Sequence, residues 1–109
     1  MEKVTGLIIC HNEERNIGAC LKSLEWCDEI VVVDSFSDDS TIEIAGKYTN
    51  HIHLNEWSGF RDQRLFALSK VENGWIFSLD ADERCTKELS EEIRKVLAAD
   101  NIAYDGFRI

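Results

Sequence analysis

The 109-residue chain has no proline, no apolar run long enough to cross a bilayer, and only 12 lysines and arginines. With 6 glycines, 44% hydrophobic and 30% charged residues, the lack of proline fits a folded globular domain and not a disordered tract or linker. One modest core is expected. Met1-Glu2-Lys3-Val4 opens no long apolar stretch, which excludes a signal peptide and implies a cytoplasmic location, extending at most to the inner face of the membrane. Set against 21 Asp and Glu, the few cations leave a formal charge of -9. That charge opposes phosphate neutralisation, so nucleic acid is a poor partner, and a phosphorylated ligand would need placed arginines or a divalent cation. Cys10, Cys20, Cys27 and Cys85 form no C-x-x-C pair, so reduced, mostly buried thiols are expected in place of a zinc site. Neither G-x-G-x-x-G nor G-x-x-x-x-G-K occurs, which removes a Rossmann dinucleotide fingerprint and a P-loop.

What is present alternates. Val4 to Cys10 predicts a strand, and the polar turn at His11-Asn12-Glu13-Glu14 leads into a helix over 13–25 that buries Ile17, Cys20, Leu21 and Leu24. Glu29 to Asp34 is apolar on both faces, as in a central strand covered by helices. Ser40-Thr41-Ile42-Glu43 has the form of a capping box and starts a short helix, followed by a strand at His51 to Leu54. A helix over Phe60 to Val71, with Leu65 and Leu68 inward, is stopped by Asn73-Gly74. A strand from Trp75 then runs into Asp80 to Glu83, Leu89, Ile93, Val96 and Leu97 mark a last helix, and Ala103 to Ile109 begins another strand. That terminal strand stops without turn chemistry, which suggests a fragment of a longer protein. The class is α/β, a mostly parallel sheet with helices on both faces. Ligands of such sheets bind beyond the carboxyl ends of the strands, where the three polar clusters after residues 10, 34 and 79 fall.

Asp80 and Asp82 are separated by one residue past an apolar strand, so an extended backbone directs both carboxylates to one side. Two hard oxygen ligands suit Mg²⁺ or Mn²⁺ shared with a ligand's phosphates. An isolated D-x-D more often solvates a strand end or caps a helix, and only its context raises it above that. Asp34 ends a buried strand, where a carboxylate caps the next loop or touches a ligand, and capping is the more common role. Helix-dipole stabilisation explains Asp38 and Asp39. Arg61 and Arg64, three residues apart on a helix, could hold a diphosphate or form surface ion pairs. His51 and His53 have no third ligand at suitable spacing, and Trp57 and Phe60 could wall a pocket or pack in the core.

Taken together, Leu7 to Glu14, Glu29 to Ser35, Ser37 to Thr41 and Leu79-Asp80-Ala81-Asp82-Glu83 resemble, in order and spacing, the family 2 glycosyltransferases with a GT-A fold. Within the family the chain looks closest to bacterial enzymes that add a hexose to the lipopolysaccharide core. The resemblance implies that residues 1–109 are a nucleotide-sugar-binding domain whose acceptor-binding half follows beyond 109. It implies that Cys10, His11, Asn12, Glu13 and Asp34 border the nucleotide. Asp82 would hold the metal and Asp80 the donor ribose or a metal-bound water, while Arg64 falls near an arginine that follows a glycine loop in many members. Ser35 departs from the pattern, standing where many members have a second Asp that reads uracil; Leu65 stands where an Asn is frequent. The implied donor is a UDP-sugar by family habit, and the acceptor a glycan or lipid-linked glycan. The family's catalytic base, a carboxylate of the acceptor half, lies outside this sequence. Glu83, beside the metal ligand, faces the diphosphate and is not that base. An uncovered acceptor-side face would favour a homodimer.

Two other classes fit parts of the pattern. A phosphoacceptor receiver domain is also acidic, α/β and Mg²⁺-binding, but needs an acidic pair after its first strand and a late lysine, and Asn12-Glu13-Glu14 matches only in part. A non-catalytic nucleotide-binding module would keep the fold without the chemistry.

Overall fold

The computed structural model describes residues 3–72, 74–98 and 106–108. In chain order the elements are β1 (Val4–Cys10), α1 (Ile17–Lys22), β2 (Glu29–Asp34), α2 (Thr41–Ala45), β3 (His51–Leu54), α3 (Phe60–Leu68), β4 (Trp75–Asp80), α4 (Lys87–Ala98) and β5 (Gly106–Arg108). The strands form one sheet in the order β3-β2-β1-β4-β5, and every pair is parallel. This is the expected α/β architecture. The order matches a doubly wound dinucleotide-fold half and differs from the 2-1-3-4-5 order of receiver domains, which removes the receiver reading.

Strand alternation sorts the core into two layers. Val4, Ile8 and Cys10 of β1, Ile30 and Val32 of β2, and Trp75, Phe77 and Leu79 of β4 pack with Ile17, Cys20 and Leu21 of α1, Ala45 of α2 and Ile93 of α4. On the other face Leu7, Val31 and Val33 meet Ala67 of α3. That second layer is thin.

The helices differ from expectation at their ends. α1 begins only at Ile17, because the Asn16 and Ile17 amides both donate to the Glu13 carbonyl in a turn that precedes it. Ser40 caps nothing with its side chain; the Thr41 amide and hydroxyl both donate to Asp39 Oδ1, so Asp39 supplies the acceptor the capping box assigned to Ser40. Thr86 accepts from the Leu89 amide at the start of α4. α3 ends at Leu68, short of Val71, and its buried positions are Gln63 and Ala67, while Leu65 and Leu68 face solvent. Gly74 is therefore not what ends α3. It has φ +96°, and a Cβ there would lie 2.3 Å from the Lys3 carbonyl oxygen, so the turn into β4 passes too close to the start of β1 for any side chain. Of the expected last strand, 106–108 is β5, and residues 103–105 and 109 lie outside the described residues. Among the described residues no helix is long and apolar enough to cross a membrane.

Candidate functional site

Register brings the three polar loops together. Cys10 pairs with Asp34 on one side of β1, and Ile9 with Asp80 on the other. β1 therefore ends between the ends of β2 and β4, at the point where the strand order changes direction. Ligand crevices of open α/β sheets form there.

The loops are stitched by hydrogen bonds that consume several polar groups. Asp34 is fully buried, and its carboxylate accepts from the Ser37 amide at 2.7 Å, the Ser37 hydroxyl at 2.6 Å and the Cys10 thiol at 3.4 Å. Asn12, at φ +50°, donates its amide to Ser37 Oγ and accepts from the Asp38 amide through Oδ1. The Glu13 amide donates to Thr41 Oγ1 and the Glu14 amide to Asp39. Burial first, and then the Asp34 charge, push the Cys10 thiol far above the ordinary thiol range. Cys20, whose thiol faces the Asp80 carbonyl, is pushed up to about 11 chiefly by burial. Both are inert thiols under the loops.

A cavity of about 360 Å³ opens at this edge, within the range of small-ligand sites. Cys10 at the end of β1 with His11 and Glu13 beyond it, Ser35 after β2, and Asp80 at the end of β4 with Asp82 beyond it line it, with Arg64 of α3. Asn12, Asp34 and Arg61 were expected with them but are not in the lining: Asn12 and Asp34 hold the loops together, and Arg61 is exposed outside it. The reason for Asp34 is alternation, since even positions of β2 turn toward α1 and α2 while Ser35 falls on the α3 side with Val31 and Val33.

Besides the apolar Ile9 and Ala81, three lining residues were not assigned to the site from sequence. Trp57 and Phe60 are 51% and 83% exposed and meet edge-on, with ring centroids 4.8 Å apart, so they wall the cavity and do not fill the core. Gln63 has no exposed surface. It accepts from Asn55 Nδ2 at 2.7 Å and donates to Ser35 Oγ at 2.9 Å. Its four-residue spacing from Ala67 was the available signal, masked by the larger Leu65 and Leu68. Gly59, at φ +103°, lets the chain turn from Trp57 into α3.

The chemistry of the wall is divided. Among the described residues the carboxylates of Asp80 and Asp82 have no hydrogen-bond or ion-pair partner, and neither does the guanidinium of Arg64, which lines the same cavity. Glu83 turns back to accept from the Asp80 amide at 2.8 Å, which occupies it in the loop. No cluster of three or more His, Cys, Asp or Glu among the described residues could cage a metal by itself. Two uncommitted hard carboxylates on a cavity rim fit Mg²⁺ or Mn²⁺, which take one or two carboxylates and complete their shells with waters and phosphate oxygens. His11 Nδ1 lies 2.9 Å from the Ser35 carbonyl, which can only accept, so Nδ1 carries a hydrogen and donates it there.

Residues 6–109 match the family described as glycosyl transferase family 2. The lipopolysaccharide core biosynthesis glycosyltransferase LpsC of Rhizobium meliloti (strain 1021) is 41% identical over 101 residues, covering 88% of this chain and 37% of that protein. An uncharacterized glycosyltransferase of Rickettsia felis is 39% identical over 102 residues, covering 93% of this chain and 36% of its own length. The chain thus spans little more than a third of these relatives. Among solved structures, S. aureus TarS in complex with UDP superposes with a TM-score of 0.70 at 26% identity, over 88% of this chain and 32% of that one. The sheet and helices described above are those of a GT-A glycosyltransferase.

Proposed function

Because the chain belongs to glycosyl transferase family 2, we propose that residues 1–109 form the nucleotide-sugar-binding domain of an enzyme that transfers a hexose, with inversion, to a bacterial cell-surface glycan such as lipopolysaccharide core. The observation that carries the reading is the cavity at the sheet's switch point, lined by Asp80, Asp82 and Arg64, whose charged groups have no partner among the described residues. The UDP bound by the similar TarS structure supports a UDP-sugar as donor.

In this reading Asp82 and Asp80 hold Mg²⁺ or Mn²⁺, with Asp80 also near the ribose. When bound, the cation offsets the charge of the departing diphosphate. Arg64 binds the same diphosphate by charge-assisted hydrogen bonds, and Arg61 adds positive charge from outside the cavity. His11, Ser35, Cys10 and Glu13 border the nucleoside, and Asn12 and Asp34 keep that border in shape from behind. The base that deprotonates the acceptor hydroxyl is assigned to the part of its relatives that this chain does not span, since Glu83 is held in its loop. The acceptor is a glycan or lipid-linked glycan on the cytoplasmic side of the membrane. The exposed apolar groups Phe60, Leu65 and Leu68 would associate two copies. Light scattering that finds a monomer at high concentration rejects that association.

Calorimetric titration of UDP into the chain tests the central claim. Binding is expected with Mn²⁺ present and is lost with EDTA or in Asp80→Asn/Asp82→Asn. If no nucleoside diphosphate gives metal-dependent heat, the reading is wrong.

A further inference from the structure

We propose that Glu83 is a positioning residue for the D-x-D pair: its carboxylate locks the turn that carries Asp80 and Asp82, so that both acids are held at the cavity before a ligand arrives. The proposal rests on the donor-binding reading above and adds to it a residue that is not part of the cavity lining.

The two aspartates are not joined by the extended backbone that their spacing suggests. β4 ends at Asp80, and the Glu83 amide donates to the Asp80 carbonyl at 2.9 Å, which closes a turn over Asp80-Ala81-Asp82-Glu83. Strand alternation therefore does not set where the second carboxylate lies; the turn does. Its middle is pinned from within, because Ala81 is 2% exposed in the apolar layer that also holds Cys20 and Cys85. Asp80 and Asp82, on either side of it, are exposed.

The side chain of Glu83 completes the turn. β5 pairs with Ile76, Phe77 and Ser78 and so stops short of the end of β4, and the Asp80 amide finds its acceptor in Glu83 Oε1 at 2.8 Å. One residue thus holds both backbone polar groups of Asp80, the arrangement by which the glutamate of a capping box closes a first helical turn. With a carboxylate as acceptor the bond is charge-assisted. The far end of the turn is anchored to the segment around α1: Arg84 donates to the Glu83 carbonyl at 3.1 Å and to Asn16 Oδ1 at 3.4 Å, and the Cys85 amide donates to Ser23 Oγ at 2.9 Å. With that end anchored, the Glu83 carboxylate is the group that keeps Asp80 in place relative to Asp82. Two carboxylates held close repel each other until a cation joins them. A locked turn meets that repulsion on folding, so that it does not oppose binding.

Reach and charge can be varied separately at this position. Glu83→Asp keeps the charge but is one methylene too short for the Asp80 amide, whereas Glu83→Gln keeps the reach and an acceptor oxygen and loses the charge. In titrations of UDP with Mn²⁺, Glu83→Asp is expected to bind about tenfold more weakly than wild type, because apparent affinity falls with the fraction of competent molecules and a hydrogen bond to a charged group is of that size. Glu83→Gln is expected to bind close to wild type. Amide exchange without ligand reads the turn itself: the Asp80 N–H should be protected in wild type and Glu83→Gln and exchange faster in Glu83→Asp. Glu83→Gln as weak as Glu83→Asp would make the charge and not the hydrogen bond the operative feature, and overturns the proposal. Wild-type affinity in Glu83→Asp overturns it as well. Absence of metal-dependent UDP binding in the wild type, with the Asp80 amide still protected, instead overturns the donor reading and leaves the turn lock standing.

Discussion

The two faces of the sheet are built differently. The face under α1, α2 and α4 is a continuous apolar layer in which Ile8, Ile17, Cys20, Leu21 and Leu24 have no exposed surface. The face under α3 has four buried apolar residues at its centre, while α3 turns Gln63 inward and Phe60, Leu65 and Leu68 outward. The cavity lies on this second side, at the loops' edge. The thick layer holds the strand ends in register, and the thin one leaves room and polar groups for a ligand. Close packing and an open polar wall cannot occupy the same volume, so the protein separates them by strand alternation.

The contrast can be broken from the packed side with the largest effect. Leu21→Ala should cost about 2–5 kcal/mol of stability by leaving a cavity in the dense layer, read by urea denaturation; a loss under half a kcal/mol would mean that layer is not close-packed. Asp34→Ala comes next. It strands three donors around a buried position and is expected to cost about 1–3 kcal/mol, with a larger fall in Tm than in UDP affinity. The reverse pattern would make Asp34 a ligand contact and not a loop brace. On the thin face, Leu65→Ser should change stability by no more than about 0.5 kcal/mol, and a cooperative loss of structure would show that α3 buries this side chain after all.

The smallest effect lies at the amino end of the sheet, remote from the cavity. Lys3 pairs with Glu29, and that hydrogen bond holds the Glu29 carboxyl below its ordinary value. A lowered folded-state pKa means the unfolded chain binds the proton more readily as pH falls. The pair therefore stabilises above the ordinary glutamate range, and its contribution disappears as pH falls through the lowered value. Glu29→Gln should lower the neutral plateau of the Tm-against-pH curve slightly and leave its acid end almost unchanged, so that the acid limb becomes shallower. A variant whose acid limb superposes on that of the wild type would show that the pair does not persist in solution.

Much of the fold was legible because strands announce themselves locally. Glu29 to Asp34 is apolar throughout, and the structure gives β2 those same bounds. The convergence of the three polar clusters followed from the parallel class alone. Helix details were less legible, because their signals compete. Ser40 fits a capping box, yet Asp39 lies one residue earlier with a stronger acceptor and takes the Thr41 amide. In α3 the large leucines suggested the wrong inward face. Burial there is set by a thin layer with space only for Ala67 and by polar partners for Gln63, neither of which a search for apolar periodicity detects.

The D-x-D shows the same division between sequence and structure. The sequence by itself determined that Asp80 and Asp82 follow an apolar strand, that so acidic a chain would need placed arginines or a divalent cation to hold a phosphorylated ligand, and that their neighbours resemble family 2 glycosyltransferases. Only the tertiary structure decided which groups face the cavity with them. It placed Ser35 on the wall and Asp34 behind it, committed Glu83 to its own loop, and brought Arg64 and Gln63 in from α3. Residue order fixes which side chains alternate along a strand, but the register of β1 between β2 and β4, and the helix laid over them, fix which side becomes a site.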